Sequence, residues 1–273
     1  MNKIGTMILY STQCNRFIHE SIKQCKKFST KVCIVTSDKS FDGRDTQNRQ
    51  ILDNLYSKYK NDDVVSFHEL QWSNEIIFDG RETYSESMKK SGGWLPGGWV
   101  KGWYGISRYS GFLQLKPFVD FTLFLDADEI IDGDAFKSWM ECLSNYKSTN
   151  AFKFLNYWYL NEVTLQATRY EDSIIMIRND NYPEELFFTD AERHGMCDIS
   201  LNRLENITYN GYPMIHHYSY VRNKEALDIK MKNTHGLELE IESSIDQKID
   251  KIMAGIDIVH GYQYITVENK FNI

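Results

Sequence analysis

The fold is decided by one stretch near the middle of the chain, Phe118-Val119-Asp120-Phe121-Thr122-Leu123-Phe124-Leu125-Asp126-Ala127-Asp128-Glu129. The part before Asp126 is mostly apolar, which predicts a buried strand. Asp126 and Asp128 follow where this strand leaves the sheet. Residues two apart in an extended chain point to the same side, so we expect both carboxylates to face one side.

The N-terminal residues predict a parallel α/β sheet around that strand. Ile4 to Tyr10 and Val32 to Thr36 are typical of strands, and Phe17 to Phe28 has apolar residues at helical spacing. Val64 to Phe67 predicts a third strand. Strand, helix and strand in succession indicate a parallel sheet, and ligands of such sheets collect at the carboxyl ends of the strands.

Downstream of the third strand the pattern changes. Residues 91 to 105 are rich in glycine and tryptophan and predict a loop, with a helix from Ile106 to Leu115. The second half carries aromatic and β-branched runs that predict antiparallel or mixed strands. They are Ala151 to Leu160, Val163 to Thr168 and Ser173 to Ile177.

Composition narrows the class of protein. The chain has 273 residues and a formal net charge of -7, which disfavours nucleic acid as a partner because nucleic-acid binders present a basic face. No apolar stretch reaches the roughly 18 residues of a membrane span. The five cysteines are odd in number and show no C-x-x-C spacing, so we expect reduced thiols and a cytoplasmic location. The oligomeric state is not indicated.

The aspartate pair predicts a metal site. Two ionised carboxylates at one strand end repel each other unless a cation joins them. Mn²⁺ or Mg²⁺ suits oxygen ligands and leaves positions for diphosphate oxygens. The alternative is a solvated acidic turn. A calcium-binding loop of the EF-hand type is disfavoured because Ile130 and Ile131 stand where it needs a polar residue and glycine.

The order of these segments resembles the GT-A fold of glycosyltransferases, in particular the family-2-like group. The resemblance covers roughly residues 1 to 236. It is carried by the strand-helix-strand start, Asp38 after the second strand, Phe124 to Glu129, and the run Ile215-His216-His217-Tyr218-Ser219-Tyr220-Val221-Arg222 ahead of a lysine-rich helix.

The resemblance implies roles for residues at both ends of the sequence. It implies a metal-binding histidine, for which His217 fits the motif better than His216, while an edge strand with surface histidines is the alternative. Arg222 and Lys230 would hold phosphates. Asp38 would contact the nucleobase or ribose, unless it only closes a turn, and Ser11 and Thr12 would line the same pocket. Arg108 matches the family's Arg-Asn position loosely, because Tyr109 replaces the asparagine.

An inverting enzyme also needs a carboxylate that deprotonates the acceptor. The resemblance implies an acidic residue beyond the aspartate pair, and Asp190 and Glu192 are the candidates. The family's usual Glu-Asp pair is not visible, so a retaining enzyme, which would not need this base, stays open.

We therefore predict an α/β chain with a Rossmann-like mixed sheet of the GT-A type. Residues 1-222 would form the catalytic domain, and residues 223-273 a helical extension packed on it. The predicted activity is transfer of a sugar from a nucleotide-diphosphate donor to a glycan or other hydroxyl acceptor. The alternatives are a nucleotidyltransferase, although the glycine-rich phosphate loop expected after the first strand is absent, and a non-catalytic carbohydrate-binding protein.

Overall fold

The computed structural model describes residues 2–40, 44–72, 98–188, 193, 195–198, 200–234, 243–258 and 260–273. The predicted α/β class, with a mixed central sheet and flanking helices, is confirmed. The strands of the described part are β1 Ile4–Leu9, β2 Lys31–Ser37, β3 Val65–Leu70, β4 Phe121–Asp126, β5 Glu129–Ile131, β6 Ala151–Leu160, β7 Leu165–Arg178, β8 Arg203–Ile207, β9 Ile215–Tyr220 and β10 Tyr264–Thr266.

Helices cover this sheet. The α-helices of the described part are α1 Asn15–Cys25, α2 Arg49–Tyr59, α3 Gly98–Leu115, α4 Gly133–Met140, α5 Lys224–Thr234 and α6 Ser243–Met253. Short 3-10 helices lie at Thr12–Cys14, Glu141–Asn145, Glu184–Phe188 and Gly195–Cys197.

The sheet runs in the order β3-β2-β1-β4-β7-β6-β9-β5, with β10 beside β7 and β8 beside β6. Strands β1 to β4 are parallel where they pair, as the N-terminal pattern predicts. Strand β7 then pairs antiparallel with both β4 and β6, which makes the sheet mixed. The predicted run Ser173 to Ile177 and the part of the run Val163 to Thr168 from Leu165 onward belong to this one long strand, β7.

Helix α3 begins earlier than the sequence indicates. Residues 98 to 105 were predicted as loop, but the helix starts at Gly98. Tertiary packing overrides the low helix propensity of glycine here. A Cβ at Gly105 would lie 2.5 Å from the carbonyl oxygen of Phe187, and one at Gly111 would lie 2.4 Å from the side chain of Met7. The glycines therefore allow α3 to lie close to its neighbours.

The C-terminal residues pack on the second half of the sheet. Leu227 and Met231 of α5 and Ile249 of α6 join one buried cluster with Trp158 and Tyr220. The side chain of Asn223 accepts a hydrogen bond from the amide of Ala226 at 2.8 Å and so caps the N-terminus of α5. Within the described residues, no helix is long and apolar enough to cross a bilayer.

Candidate functional site

The carboxyl ends of the parallel strands meet at one edge of the sheet. Leu9 of β1 is paired with Asp126 of β4, and the amide of Ala127 donates to the carbonyl of Leu9 at 2.9 Å. Next along the edge, the amide of Asp38 donates to the carbonyl of Leu70 at 3.1 Å. The segments that follow β1, β2 and β4 therefore lie side by side, as expected for a ligand site of an α/β sheet.

Asp126 and Asp128 are not on one continuous strand. Strand β4 ends at Asp126, a turn contains Ala127 and Asp128, and β5 starts at Glu129. The expectation of an extended pair is therefore wrong in detail. The two carboxylates nevertheless belong to one electrostatic cluster, because the charge of Asp128 acts on the pKa of Asp126. The turn after β4 brings the two carboxylates together, and the alternation of side chains along a strand does not.

Asp126 is held by two arginines. Its Oδ1 lies 3.3 Å from Nη2 of Arg108, and its Oδ2 lies 3.8 Å from Nη2 of Arg193. Burial alone would raise the pKa of this carboxyl, but the two guanidinium charges outweigh burial and lower it. Asp126 is therefore ionised at neutral pH, and 27% of its side chain remains exposed.

Asp128 faces a basic group from the end of β9 and from α5. Nη2 of Arg222 donates to its Oδ2 at 2.5 Å, and Nζ of Lys230 lies 3.9 Å from the same oxygen. Burial acts to raise the pKa of Asp128, and Lys230, Arg222 and His217 together hold it well below its usual range. The other oxygen, Oδ1, lies 3.9 Å from Nε2 of His217.

Glu129 forms the innermost part of the cluster. It is fully buried, and its two oxygens accept from Nη2 and Nη1 of Arg193 at 2.5 and 2.6 Å. Oε2 also accepts from the backbone amide of Asp126 at 2.7 Å. This bidentate geometry is the strong form of a charge-assisted hydrogen bond.

The two adjacent histidines of β9 point to different surroundings. Nδ1 of His216 is bonded to the Tyr159 hydroxyl at 2.7 Å, away from the carboxylates. Nε2 of His217 lies 3.9 Å from Asp128 and 3.8 Å from Glu129. Burial lowers the pKa of His217, so its imidazole is neutral and can donate an electron pair to a metal. Strand β9 lies between β6 and β5 and is not an edge strand.

Arg222 and Lys230 are held in place by hydrogen bonds to other polar groups of the protein. Arg222 donates to the carbonyl of Ser219 at 2.9 Å and to Sγ of Cys14 at 3.1 Å, and its pKa is raised although burial opposes this. Lys230 is bonded to the hydroxyl of Ser219, and burial lowers its pKa. Two cations are thus concentrated beside Asp128.

The polar residues after β1 and β2 form hydrogen bonds within the protein. The amide and hydroxyl of Thr12 both approach Oε1 of Gln47, at 3.0 and 3.1 Å. Ser11 is bonded to the side chain of Gln13. Oδ1 of Asp38 accepts from the amide of Trp72 at 2.7 Å and so joins the segment after β2 to the segment after β3. Their contact with a nucleotide stays a prediction.

Asp190 and Glu192, the candidate bases, lie outside the described residues. Sequence patterns did not indicate three residues of the site, which are Arg193, Cys14 and Ser219. Arg193 could have been suspected only from its place beside the candidate bases. Cys14 and Ser219 carry no pattern of their own and are brought to the site by the 3-10 helix after β1 and by β9.

Whether this site can bind a metal ion depends on Asp128 and His217. In the described part of the chain, no group of three or more His, Cys, Asp or Glu side chains is placed to hold a metal ion. Asp128 and His217 do present one oxygen and one nitrogen to each other across 3.9 Å. Mg²⁺ is usually bound through one or two carboxylates plus substrate phosphates. The donor set therefore fits a metal that is bound together with a diphosphate.

Comparison with known proteins gives distant structural similarities. No protein-family model and no curated protein matches the chain. The structure is similar to 4-diphosphocytidyl-2C-methyl-D-erythritol synthase from Anaerococcus prevotii, with a TM-score of 0.44 and 8% identity over 86% of this chain and 96% of that chain. It is also similar to Rv0371c from Mycobacterium tuberculosis H37Rv, with a TM-score of 0.42 and 6% identity over 78% and 91%. Similarities this distant have no bearing on the chemistry of the site, and its function has to come from its own side chains.

Proposed function

We propose that the chain is a metal-dependent glycosyltransferase that uses a nucleotide-diphosphate sugar as donor. The observation that carries the proposal is the convergence of Asp128 and His217, 3.9 Å apart, with Arg222 and Lys230 on the same carboxylate. This arrangement offers a metal two donors and offers diphosphate oxygens two cations. Both needs of a nucleotide-diphosphate ligand are met in one place.

Each side chain has a distinct task in this proposal. Asp128 and His217 would hold Mn²⁺ or Mg²⁺, with diphosphate oxygens in the remaining positions and Asp126 beside them, and the metal would neutralise charge on the departing diphosphate. Arg222 and Lys230 would bind the phosphate oxygens directly. The acceptor oxygen forms a bond to the sugar as the bond to phosphate breaks, and Asp190 or Glu192 would take the acceptor proton if the reaction inverts.

One observation favours sugar transfer over nucleotidyl transfer. The segment after β1 forms a 3-10 helix, where the amide of Thr12 donates to Gln47 and that of Cys14 donates to Ser11. These amides are occupied, whereas a phosphate loop presents free backbone amides to its nucleotide. A nucleotidyltransferase would have to break these hydrogen bonds to bind a triphosphate there.

The first test is a thermal-shift screen of nucleoside diphosphates with Mn²⁺ or with a chelator. A nucleotide at about 100 times its Kd stabilises the native state by about 2.7 kcal/mol, which corresponds to about 5–10 °C for a chain of this size. Asp128→Asn and His217→Ala should lose the Mn²⁺-dependent shift. Asp63→Asn, a change at an exposed aspartate, is the matched control and should keep it.

The outcome decides between the candidate functions. Equal nucleotide shifts with chelator and in Asp128→Asn would contradict the metal site. Release of nucleoside diphosphate from a nucleotide sugar in the presence of an acceptor supports the glycosyltransferase. Release of pyrophosphate from a nucleoside triphosphate and a sugar phosphate would establish the nucleotidyltransferase instead, and sugar binding without either product would indicate a binding protein.

A further inference from the structure

Glu129 is the acidic residue nearest to the aspartate pair, yet its oxygens are already engaged. Arg193 takes both of them, and the Asp126 amide adds a third hydrogen bond at 2.7 Å. The side chain is fully buried and charge-neutralised. It is therefore unsuited to bind a cation, and its contacts act on the position of its neighbours.

Arg193 joins elements that are far apart in the sequence. It lies 64 residues beyond Glu129, and the same guanidinium donates to the carbonyl of Phe124 at 3.3 Å. Its Nη2 also lies 3.8 Å from Oδ2 of Asp126. One buried side chain thus contacts Phe124 and Asp126 of β4 and Glu129 at the start of β5.

The backbone of Arg193 connects this contact to a second packed region. Its carbonyl accepts the amide of Met196 at 3.1 Å, at the start of the 3-10 helix Gly195–Cys197. Met196 and Cys197 are buried, and the hydroxyl of Tyr182 donates to the carbonyl of Met196 at 2.5 Å. A shift of the Arg193 fork relative to Glu129 would therefore displace this helix relative to the carboxylates.

We propose that Arg193 is a positioning residue that, through Glu129, clamps the 3-10 helix Gly195–Cys197 onto the end of β4 and the start of β5, so that the orientation of Asp126 and the position of that helix are set together. The functional half of this statement rests on the proposed glycosyltransferase activity. In sequence, Arg193 directly follows the candidate bases Asp190 and Glu192.

A merely structural ion pair makes a different prediction from a clamp. A buried ion pair can often be replaced as a unit by neutral side chains without loss of stability, whereas removal of one partner leaves an uncompensated charge. The double variant Glu129→Gln with Arg193→Met removes both charges and keeps an oxygen for the Asp126 amide. If the pair is only structural, this variant should be both stable and active.

The experiment compares that double variant with Arg193→Lys and with a matched control, Arg203→Met. Arg203 of β8 donates to the carbonyl of Cys197 at 2.6 Å and so holds the same segment through a contact that does not involve Glu129. The measurements are melting temperature, amide exchange of residues 195–198, and kcat and KM for the donor found in the screen.

We expect the melting temperature of the double variant to lie within about 4 °C of the wild-type value. This corresponds to a change of about 1 kcal/mol or less in the free energy of unfolding. Its kcat should fall about 100-fold with donor KM changed less than about threefold, because Arg222 and Lys230 still bind the diphosphate. The kcat of Arg193→Lys should fall about tenfold, since a lysine can keep one of the two hydrogen bonds that the guanidinium makes to Glu129. Arg203→Met should keep kcat within about twofold.

Amide exchange tests the clamp without any substrate. Residues 195–198 should exchange faster in the double variant than in the wild type at equal global stability. Unchanged exchange would overturn the clamp whether or not the protein is a glycosyltransferase. Faster exchange together with wild-type kcat would overturn the positioning role, while absence of nucleotide binding by the wild type would refute only the proposed function.

Discussion

Two adjacent buried carboxylates, Asp128 in the turn after β4 and Glu129 at the start of β5, have different partners. Glu129 is fully buried, and both of its oxygens are taken by the Arg193 fork. Asp128 has one oxygen on Arg222 and the other 3.9 Å from the neutral imidazole of His217. The difference shows that proximity to a metal motif does not assign a role. A carboxylate can act as ligand only where its partners leave an oxygen accessible.

The opposite strand repeats this contrast. His217 is paired with Glu129 across β5 and β9, and His216 is paired with Ile130. His216 is bonded to Tyr159, and burial lowers its pKa to about 3. One ring nitrogen of each histidine, Nε2 of His216 and Nδ1 of His217, has no hydrogen-bond partner among the described residues, so the contrast lies in the other nitrogen. We call Glu129, Arg193 and His216 the sealed group, and Asp128, His217, Arg222 and Lys230 the open group. The names refer to bonding partners, since Asp128 and His217 are themselves only 4% and 8% exposed.

The largest effect should come from breaking the sealed group at Glu129. Glu129→Ala leaves the buried charge of Arg193 uncompensated, and we expect a loss of about 3–5 kcal/mol in the free energy of unfolding. The matched control is Glu205→Ala, because Glu205 forms an exposed ion pair with Arg203 and such pairs contribute about 0–1 kcal/mol. Urea unfolding measures both, and equal losses in the two variants would contradict the description of Glu129 as sealed.

The second effect is on the pH dependence of stability. The pKa of His216 is lowered from 6.5 to about 3 by burial, so in this range the unfolded chain binds a proton that the native chain does not. The free energy of unfolding should therefore rise with pH, by about 1.4 kcal/mol per pH unit from this group. Stability from His216 is lost as the pH falls below 6.5.

Substitution of His216 tests this sign. His216→Gln keeps a polar partner for Tyr159 and removes the titration, so its unfolding free energy should depend less steeply on pH than that of the wild type. Urea unfolding at several pH values from about 4 to 6 measures the difference in slope. Identical slopes would show that His216 is protonated in the native state.

The sequence predicts the strands that carry the site better than it predicts the contacts between the side chains of the site. The buried strand before Asp126 and the strand-helix-strand start follow from local periodicity, and both are found in the fold. The His-His run also has local meaning, because adjacent strand residues face opposite sides. His217 is accordingly the histidine that lies beside the carboxylates, and His216 is the one that does not.

What could not be predicted depends on contacts between distant segments. The fork of Arg193 meets Glu129 from 64 residues away, and Cys14 meets Arg222 from 208 residues away. Neither pair has a spacing that a local pattern can detect. The start of α3 at Gly98 was missed for the same reason, because the close contacts of Gly105 and Gly111 offset their unfavourable propensity only in the folded chain.

The smallest effect should separate two lysines of one helix, α5. Lys230 is directed at Asp128 and Ser219 within the open group, whereas Lys224 forms an exposed ion pair with Asp250. If the open group binds a diphosphate, Lys230→Met removes one charge-assisted contact. We expect nucleoside diphosphate to bind about tenfold more weakly in the presence of Mn²⁺, equivalent to about 1.4 kcal/mol.

Lys224→Met carries the same change of charge and hydrophobicity on the same helix, and its nucleotide affinity should equal that of the wild type because exposed ion pairs contribute little. Titration calorimetry at two salt concentrations distinguishes a local contact from a general field, since long-range attraction is screened by salt and a buried contact is not. An equal loss in both variants at low salt that disappears at high salt would mean that Lys230 only adds to the positive field. A loss confined to Lys230→Met at both salt concentrations would place the phosphate oxygens against the open group.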